Sequence, residues 1–444
     1  MCHCWLLGRT FMKKVLVVGY ARSGKFVSLL LQKQGYQVTV TDIVAIPEKE
    51  ALESQGIFVY EKEHPDFLVH EDWDFVVKNP GIPYHAPFIA KLVAEGQRII
   101  TEIEVASWFA SNYEYAAITG TNGKTTTTAI LGALLQTQYE EAYVAGNIGV
   151  PLSELVVEKG NISAKVAVEI SGFQLLGVEE FHPSVTTIMN LTPDHLDYFS
   201  SLEDYYQTKT LVYHNQREED WFILNCDDPL VVAYCKNIPC KVIRFSLQEK
   251  LDLYLENNQI MLFETCLFEK SDLKIVGQHN LVNAMIAAAM AYKMGVTPEN
   301  IRRGIQEFMG VEHRIEYVRT VNGIDFYNDS KATNVDSTIV AVQAFEKPLI
   351  LLAGGYDKKT GFTDLAPYLA RLKKLIVFGA TKNQFQALRE DCIVVENLEE
   401  AIARAYQEAV AGDVILLSPA CASYDQYPNF EVRGKQFKEI VAKL

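Results

Sequence analysis

Short apolar runs separated by glycine set the pattern from the N-terminal end of the chain. Lys14-Val-Leu-Val-Val reads as a strand, Gly19-Tyr-Ala-Arg-Ser-Gly24 as a turn, and a helical apolar periodicity then continues to Gln34. Gly35 stops that helix, and Gln37-Val-Thr-Val-Thr41 followed by Asp42 completes a strand–turn–helix–strand unit. Further runs at Phe75-Val-Val-Lys and Arg98-Ile-Ile fit a small doubly wound block ending near residue 110. A second block opens with Tyr115-Ala-Ala-Ile. It carries runs at Lys165-Val-Ala-Val, Val185-Thr-Thr-Ile-Met and Trp221-Phe-Ile-Leu, and closes with an Ala-rich helix from Leu281 to Met294. A third starts near Val311, with Pro348-Leu-Ile-Leu-Leu, Lys374-Leu-Ile-Val-Phe and Val414-Ile-Leu-Leu. The pattern predicts an α/β protein of three domains, spanning 12–110, 111–310 and 311–444, with no internal repeat.

Composition narrows the function classes. Of 444 residues, 49% are hydrophobic and 22% charged, enough apolar material for several cores. The net charge of −15 is spread along the chain, which argues against general nucleic-acid binding but not against an anionic substrate held by local positive charge. No apolar run reaches the ~18 residues of a membrane span. The eight cysteines form no C-x-x-C pair and predict a reducing, cytoplasmic setting. Cys2-His3-Cys4 lacks the second ligand pair of a zinc site. Met12-Lys-Lys leads directly into the first strand, so residues 1–11 read as an N-terminal extension.

Two glycine loops compete for a phosphate-binding role. The template G-x-x-x-x-G-K-[ST] is matched in spacing by Gly19 to Lys25, but Phe26 stands where the metal-binding hydroxyl belongs. Gly120-Thr121-Asn122-Gly123-Lys124-Thr125-Thr126 misses the spacing, with Ile118 at the first glycine position, yet supplies every chemical part. A strand precedes it, two glycines open the backbone, Lys124 can reach β and γ phosphates, and the Thr125 hydroxyl can hold Mg²⁺ at a helix N-terminus. This loop is the predicted ATP site. The Gly19 loop, with Ser23, Gly24 and Asp42 after the second strand, suits either a dinucleotide or the diphosphate of a nucleotide substrate.

Other polar residues gather at predicted strand and helix ends. Glu169 ends an apolar strand, where a carboxylate can supply an oxygen ligand to Mg²⁺. Asn190-Leu-Thr192-Pro-Asp194-His195-Leu-Asp197 ends another, and His195 is either a metal or phosphoryl contact or a structural histidine. Asn280 and Asn283 share a helix face and either read a nucleobase or cap the helix.

Together these stretches resemble the Mur ligases, ATP-dependent enzymes that add amino acids during peptidoglycan assembly. The matching segments are Gly120-Thr-Asn-Gly-Lys-Thr-Thr, Glu169-Ile-Ser-Gly-Phe-Gln, His195-Leu-Asp, Gly277-Gln-His-Asn-Leu-Val-Asn283 and His313-Arg314. Asn328-Asp-Ser-Lys-Ala-Thr-Asn334, Gly354-Gly-Tyr-Asp-Lys358 and Ser418-Pro-Ala-Cys-Ala-Ser-Tyr-Asp425 are similar to the D-glutamate-adding branch. The resemblance covers nearly the whole chain from Met12. It implies a Rossmann-like UDP-substrate domain, a central P-loop-type ATPase domain with a mainly parallel sheet, and a Rossmann-like C-terminal domain that takes the amino acid. UDP-N-acetylmuramoyl-L-alanine and D-glutamate would be the substrates, ATP and two Mg²⁺ ions the cofactors, and the enzyme a cytoplasmic monomer.

Roles follow by motif position. The resemblance implies that Gly19, Arg22, Ser23, Gly24, Asp42, Asn79, Gly81 and Asn147 hold the UDP-substrate. Lys124 and Thr125 would hold phosphates and the first Mg²⁺, with Glu169 beside that ion and His195 at the second. Lys209 would be carbamylated, becoming a carboxylate-like metal ligand. Asn280, Asn283 and Asp329 would contact the nucleoside of ATP, Arg314 and Lys331 its phosphates, and Thr333, Lys358, Ser423 and Phe430 the D-glutamate. The alternatives are another Mur ligase, a folylpolyglutamate synthetase-like ligase, a nicotinamide-dependent dehydrogenase resting on Gly19 to Asp42 alone, or a nucleotide-binding module without turnover.

Overall fold

The computed structural model describes residues 13–193, 198–356 and 361–444. The first sheet has five parallel strands, β1 (Lys14–Val18), β2 (Gln37–Asp42), β3 (Phe58–Glu61), β4 (Phe75–Lys78) and β5 (Ile99–Ile100), in the order β3-β2-β1-β4-β5. Alternation along β1 explains why it is covered on both faces. Val15 and Val17 enter one apolar core with Val27, Leu31 and Val40, while Leu16 and Val18 enter another with Val76, Ile89 and Leu92.

The second sheet runs β14-β13-β12-β11-β10-β9-β6-β8-β7. Its strands are β6 (Tyr113–Thr119), β7 (Ala142–Gly146), β8 (Ala164–Glu169), β9 (Val185–Ile188), β10 (Trp221–Asn225), β11 (Lys241–Phe245), β12 (Leu253–Glu256), β13 (Gln259–Leu262) and β14 (Thr265–Glu269). From β7 to β12 the pairing is parallel, and β12 and β13 form an antiparallel hairpin. Asn257 and Asn258 turn that hairpin with positive φ, a conformation asparagine tolerates well. The third sheet, β15-β16-β20-β17-β18-β19, holds β15 (Glu316–Val321), β16 (Ile324–Asn328), β17 (Leu349–Gly354), β18 (Lys374–Phe378), β19 (Ile393–Val394) and β20 (Val414–Leu417). Only β15 pairs antiparallel there.

By packing, the chain forms two compact units. One comprises 1–267 and 286–301, and the other 268–285 and 302–444. The first two sheets therefore share one unit, and the segment 268–285 joins the third sheet. A buried carboxylate helps tie the first two sheets together: Glu104 accepts the backbone N–H groups of Glu179, Glu180 and Phe181, and the Trp108 indole N–H. Helices Arg22–Lys33, Glu102–Trp108 and Leu152–Lys159 also pack on one another.

The first helix begins at Arg22, so Gly24 lies inside it rather than in the turn. The reason is close approach, since a Cβ at Gly24 would strike the carbonyl of Gly19. The Ala-rich helix spans Gln278–Lys293, starting three residues earlier than its apolar pattern, because its first turn is polar. No helix among the described residues is long and apolar enough to cross a membrane.

Candidate active site

Within the first unit, the phosphate loop leaves the C-terminal end of β6 and enters helix Lys124–Gln136. Gly120 has φ +136°, and a Cβ there would lie 2.9 Å from Met189, so no other residue fits the turn. Gly123, at φ +83°, is the residue before the helix. The first intrahelical bond is from Thr127 N–H to the Gly123 carbonyl. The N–H groups of Lys124, Thr125 and Thr126 precede it, which is the donor array an anion needs. The Lys124 ammonium donates to the carbonyls of Gly120 and Thr121, each at 2.8 Å.

The loop is held from outside by Asn190, which follows β9. Its side chain takes the Asn122 N–H at 2.8 Å and donates to the Asn122 carbonyl, and its own carbonyl accepts from Thr121 N–H. Lys209, on helix Leu202–Thr210, is fully buried and donates to the Gly120 carbonyl at 3.0 Å with its ammonium over the Tyr205 ring. Two segments predicted separately, the Gly120 loop and Lys209, thus meet at the Gly120 carbonyl. Asn190 and Tyr205 are clamp residues that motif reading did not single out.

Glu169 ends β8 in register with Ile118 of β6 and Gly146 of β7, beside the phosphate loop. Asn147 donates to Glu169 Oε1 at 2.7 Å, and Oε2 is buried without a hydrogen-bond partner. A buried carboxylate oxygen without a hydrogen-bond partner among the described residues, at the end of a strand in register with β6, fits a hard cation. Among the described residues no group of three His, Cys, Asp or Glu side chains is placed to hold an ion. His195 lies outside the described residues, as do Lys358 and residues 1–12.

The Gly19 loop is built differently. Asp42 accepts the Tyr20 N–H at 2.6 Å and the Val44 N–H at 3.0 Å, fixing the loop rather than extending into solvent. Asn79 donates to Ser23 Oγ and accepts from Gly81 N–H, which joins two of the predicted substrate loops. Arg22 turns away from this network: its guanidinium forks onto Glu154 at 2.7 and 2.9 Å and reaches the Gly149 carbonyl. A cavity of about 1200 Å³ lined by Tyr84, Tyr198, Glu203, Gln207, His214 and Tyr234 contains none of the predicted site residues.

In the second unit, Asn280 donates to the Val276 carbonyl and Asn283 donates to Asn280 Oδ1, so the two amides form a linked pair rather than a first-turn cap. Arg314 is exposed between two residues of positive φ, His313 and Ile315. Asp329 is buried, accepting from Ser418 Oγ at 2.7 Å and Ile315 N–H at 3.2 Å. Lys331 sits over the Phe430 ring, and Phe430 meets His313 edge to face. Arg433 is the residue that organises this end of the sheet, and sequence reading missed it. Fully buried, it donates to the Ser330 hydroxyl and to the carbonyls of Ser330, Cys421 and Ala422, clamping the loop that carries Asp329, Lys331 and Thr333 to the one that carries Ser423. Burial lowers it to about 10.

Burial also pushes the Asp329 carboxyl up to about 7, against the lowering effect of Ser418, the Ile315 N–H and two arginines. The folded value lies above the unfolded one near 3.9. Its stabilising contribution is therefore complete below about pH 4 and is lost as pH rises through 7. We expect Asp329→Asn to remove this loss, so that its melting temperature relative to wild type improves between pH 5 and pH 8. A constant difference across that range would contradict the assignment.

The fold and the phosphate loop define a nucleotide-binding α/β architecture, and comparison gives the family. Residues 118–291 match the Mur ligase middle domain, and residues 313–421 match the Mur ligase, glutamate ligase domain. The chain belongs to the Mur ligase family. It is similar over 97% of its length to UDP-N-acetylmuramoylalanine–D-glutamate ligases. Identity is 40% to that of Listeria monocytogenes serovar 1/2a, covering 97% of that protein, and 41% to that of Lactiplantibacillus plantarum, covering 96% of it. Among solved structures, UDP-N-acetylmuramate–alanine ligase MurC of Thermotoga maritima shares the fold, with a TM-score of 0.58, 20% identity, and coverage of 97% of this chain and 99% of that one. MurF of Acinetobacter baumannii does so with a TM-score of 0.59, 18% identity, and coverage of 83% and 91%.

Proposed function

We propose that this chain joins D-glutamate to UDP-N-acetylmuramoyl-L-alanine with hydrolysis of ATP to ADP and phosphate, acting as a cytoplasmic monomer. The reading rests above all on full-length similarity to enzymes named for that reaction, together with a phosphate loop whose lysine, threonine and helix N-terminus are correctly ordered. Domains of 12–110, 111–310 and 311–444 would take the UDP-substrate, ATP and the amino acid.

The carboxylate of the alanyl end attacks the γ-phosphorus of ATP, the bond to the β–γ bridging oxygen breaks, and an acyl phosphate and ADP result. The amine of D-glutamate then attacks the acyl carbon. A tetrahedral intermediate forms, the amine loses its proton, and inorganic phosphate leaves with the peptide bond complete. The first step brings two anions together, so positive charge and N–H donors must meet the transferring group. Lys124 and the N–H groups of Lys124 to Thr126 supply both, aimed by the Gly120 turn. Asn147, held on Glu169, orients the acceptor substrate beside them. Thr125, Glu169, His195 and Lys209 as its carbamate would hold Mg²⁺, whose chemistry here is to neutralise phosphate charge. Asn280, Asn283, Asp329, Arg314 and Lys331 keep the ATP roles implied by the resemblance, and Thr333, Lys358, Ser423 and Phe430 the D-glutamate roles.

Phosphate release with ATP and UDP-N-acetylmuramoyl-L-alanine should depend on D-glutamate and fail with L-glutamate or L-lysine. Turnover with L-lysine but not D-glutamate would move the chain to another branch of the family.

A further inference from the structure

We propose that Lys78 is a positioning residue, its buried ammonium supplying positive charge beneath the loop that receives the anionic part of the nucleotide substrate. The inference rests on the reading that the Gly19 and Asn79 loops take a uridine diphosphate group. Lys78 is the last residue of β4 and is fully buried. Its ammonium donates to the carbonyls of Asn79 at 3.2 Å and Ile82 at 2.7 Å, and to the Tyr198 hydroxyl at 3.1 Å. It lies 4.8 Å from the centre of the Tyr84 ring and 5.8 Å from that of Tyr198. The loop from Asn79 to Tyr84 thus bends around the ammonium, and the side chain of Asn79 carries the contact onward to Ser23 of the Gly19 loop.

Among the described residues no carboxylate pairs with this lysine, and burial alone lowers it to about 8. A buried cation held by two carbonyls, one hydroxyl and ring faces, with no opposite charge, costs stability. The loop's own geometry does not require that charge. The Asn79 carbonyl also accepts from Ile82 N–H, and the Ile82 carbonyl lies within hydrogen-bond distance of the Tyr198 hydroxyl. An apolar side chain of the same length would leave the Asn79 carbonyl partnered and the Ile82 carbonyl sharing the single Tyr198 hydroxyl proton with the Pro80 carbonyl. What the charge does serve is an anion bound on the outer side of the loop, which supplies the counter-charge that no described residue provides. The other titratable groups facing the site are Tyr84 and Tyr198, both raised by burial, with Glu179 near Tyr84. Lys78 is therefore the group here that changes charge near pH 8.

The test is calorimetric titration of UDP-N-acetylmuramoyl-L-alanine into the full chain, for wild type, Lys78→Met and Lys78→Gln, at pH 7 and pH 9, with thermal melts of each. We expect both variants to bind about tenfold more weakly at pH 7, with an unchanged KM for ATP and a melting temperature equal to or above wild type. Wild-type affinity should fall toward that of the variants at pH 9, while theirs stays level. Gln keeps N–H donors without charge, so it isolates the charge if Met disturbs the loop. Wild-type binding with undiminished affinity in folded Lys78→Gln overturns the inference alone. Absence of binding by the wild type overturns the nucleotide reading and the inference with it.

Discussion

Replacing Lys124 by alanine lowers ATP-dependent phosphate release by about a thousandfold and leaves the melting temperature nearly unchanged. The size follows from removing a positioned positive charge from a site where charge develops on a transferring phosphoryl group. The fold tolerates the loss because Lys124 stands in the first helical turn, half-buried, and the loop carbonyls of Gly120 and Thr121 that it meets can also be satisfied by water. The turn itself is set by Gly120 and by the Asn190 clamp, not by the lysine. Arginine should rescue poorly, since a planar guanidinium cannot take the place of a compact ammonium within so tight a loop. Steady-state kinetics beside a thermal melt separates the two effects, and near-normal turnover in Lys124→Ala would remove the phosphate site from this loop.

The second large effect is expected at Glu169. Glu169→Gln keeps the size of the side chain but removes its charge from the end of β8. We expect kcat to fall by about a hundredfold and the Mg²⁺ concentration for half-maximal rate to rise. Stability should hold or improve, because the variant removes the charge from a buried carboxylate whose Oε2 has no hydrogen-bond partner among the described residues. Measuring rate against Mg²⁺ concentration decides the matter. A loss of rate with unchanged Mg²⁺ dependence would make Glu169 a support for Asn147 instead of a metal ligand.

Local chemistry explains which parts of the site were legible. The Gly120 loop was readable despite its irregular spacing because each function needs a distinctive residue: glycine for positive φ, lysine for phosphate, threonine for a cation. Asn280 and Asn283 were readable as a pair because helical geometry fixes which residues share a face. Long-range clamps were not. Asn190 meets Asn122 only because β9 and β6 are neighbours in the sheet, and Arg433 meets Ser330, Cys421 and Ala422 only because the last helix returns to the ends of β16 and β20. A buried arginine or lysine is indistinguishable in sequence from a solvated one. The direction of Arg22 shows the same limit: the resemblance implies a UDP-substrate contact, while only the fold shows that its neighbour in space is Glu154.

The sequence by itself determined the three α/β sheets, the order of the phosphate-loop residues and the family, because apolar alternation, glycine turns and motif chemistry are local properties of the chain. Tertiary structure alone decided that the first two sheets pack as one unit through Glu104, that Asp42 braces a loop, and that Lys78 lies beneath the Asn79 turn with no counter-charge among the described residues. Those outcomes depend on burial and on partners distant in sequence. Burial sets the cost of a charge, and only the packed fold says which charges are buried and what they face.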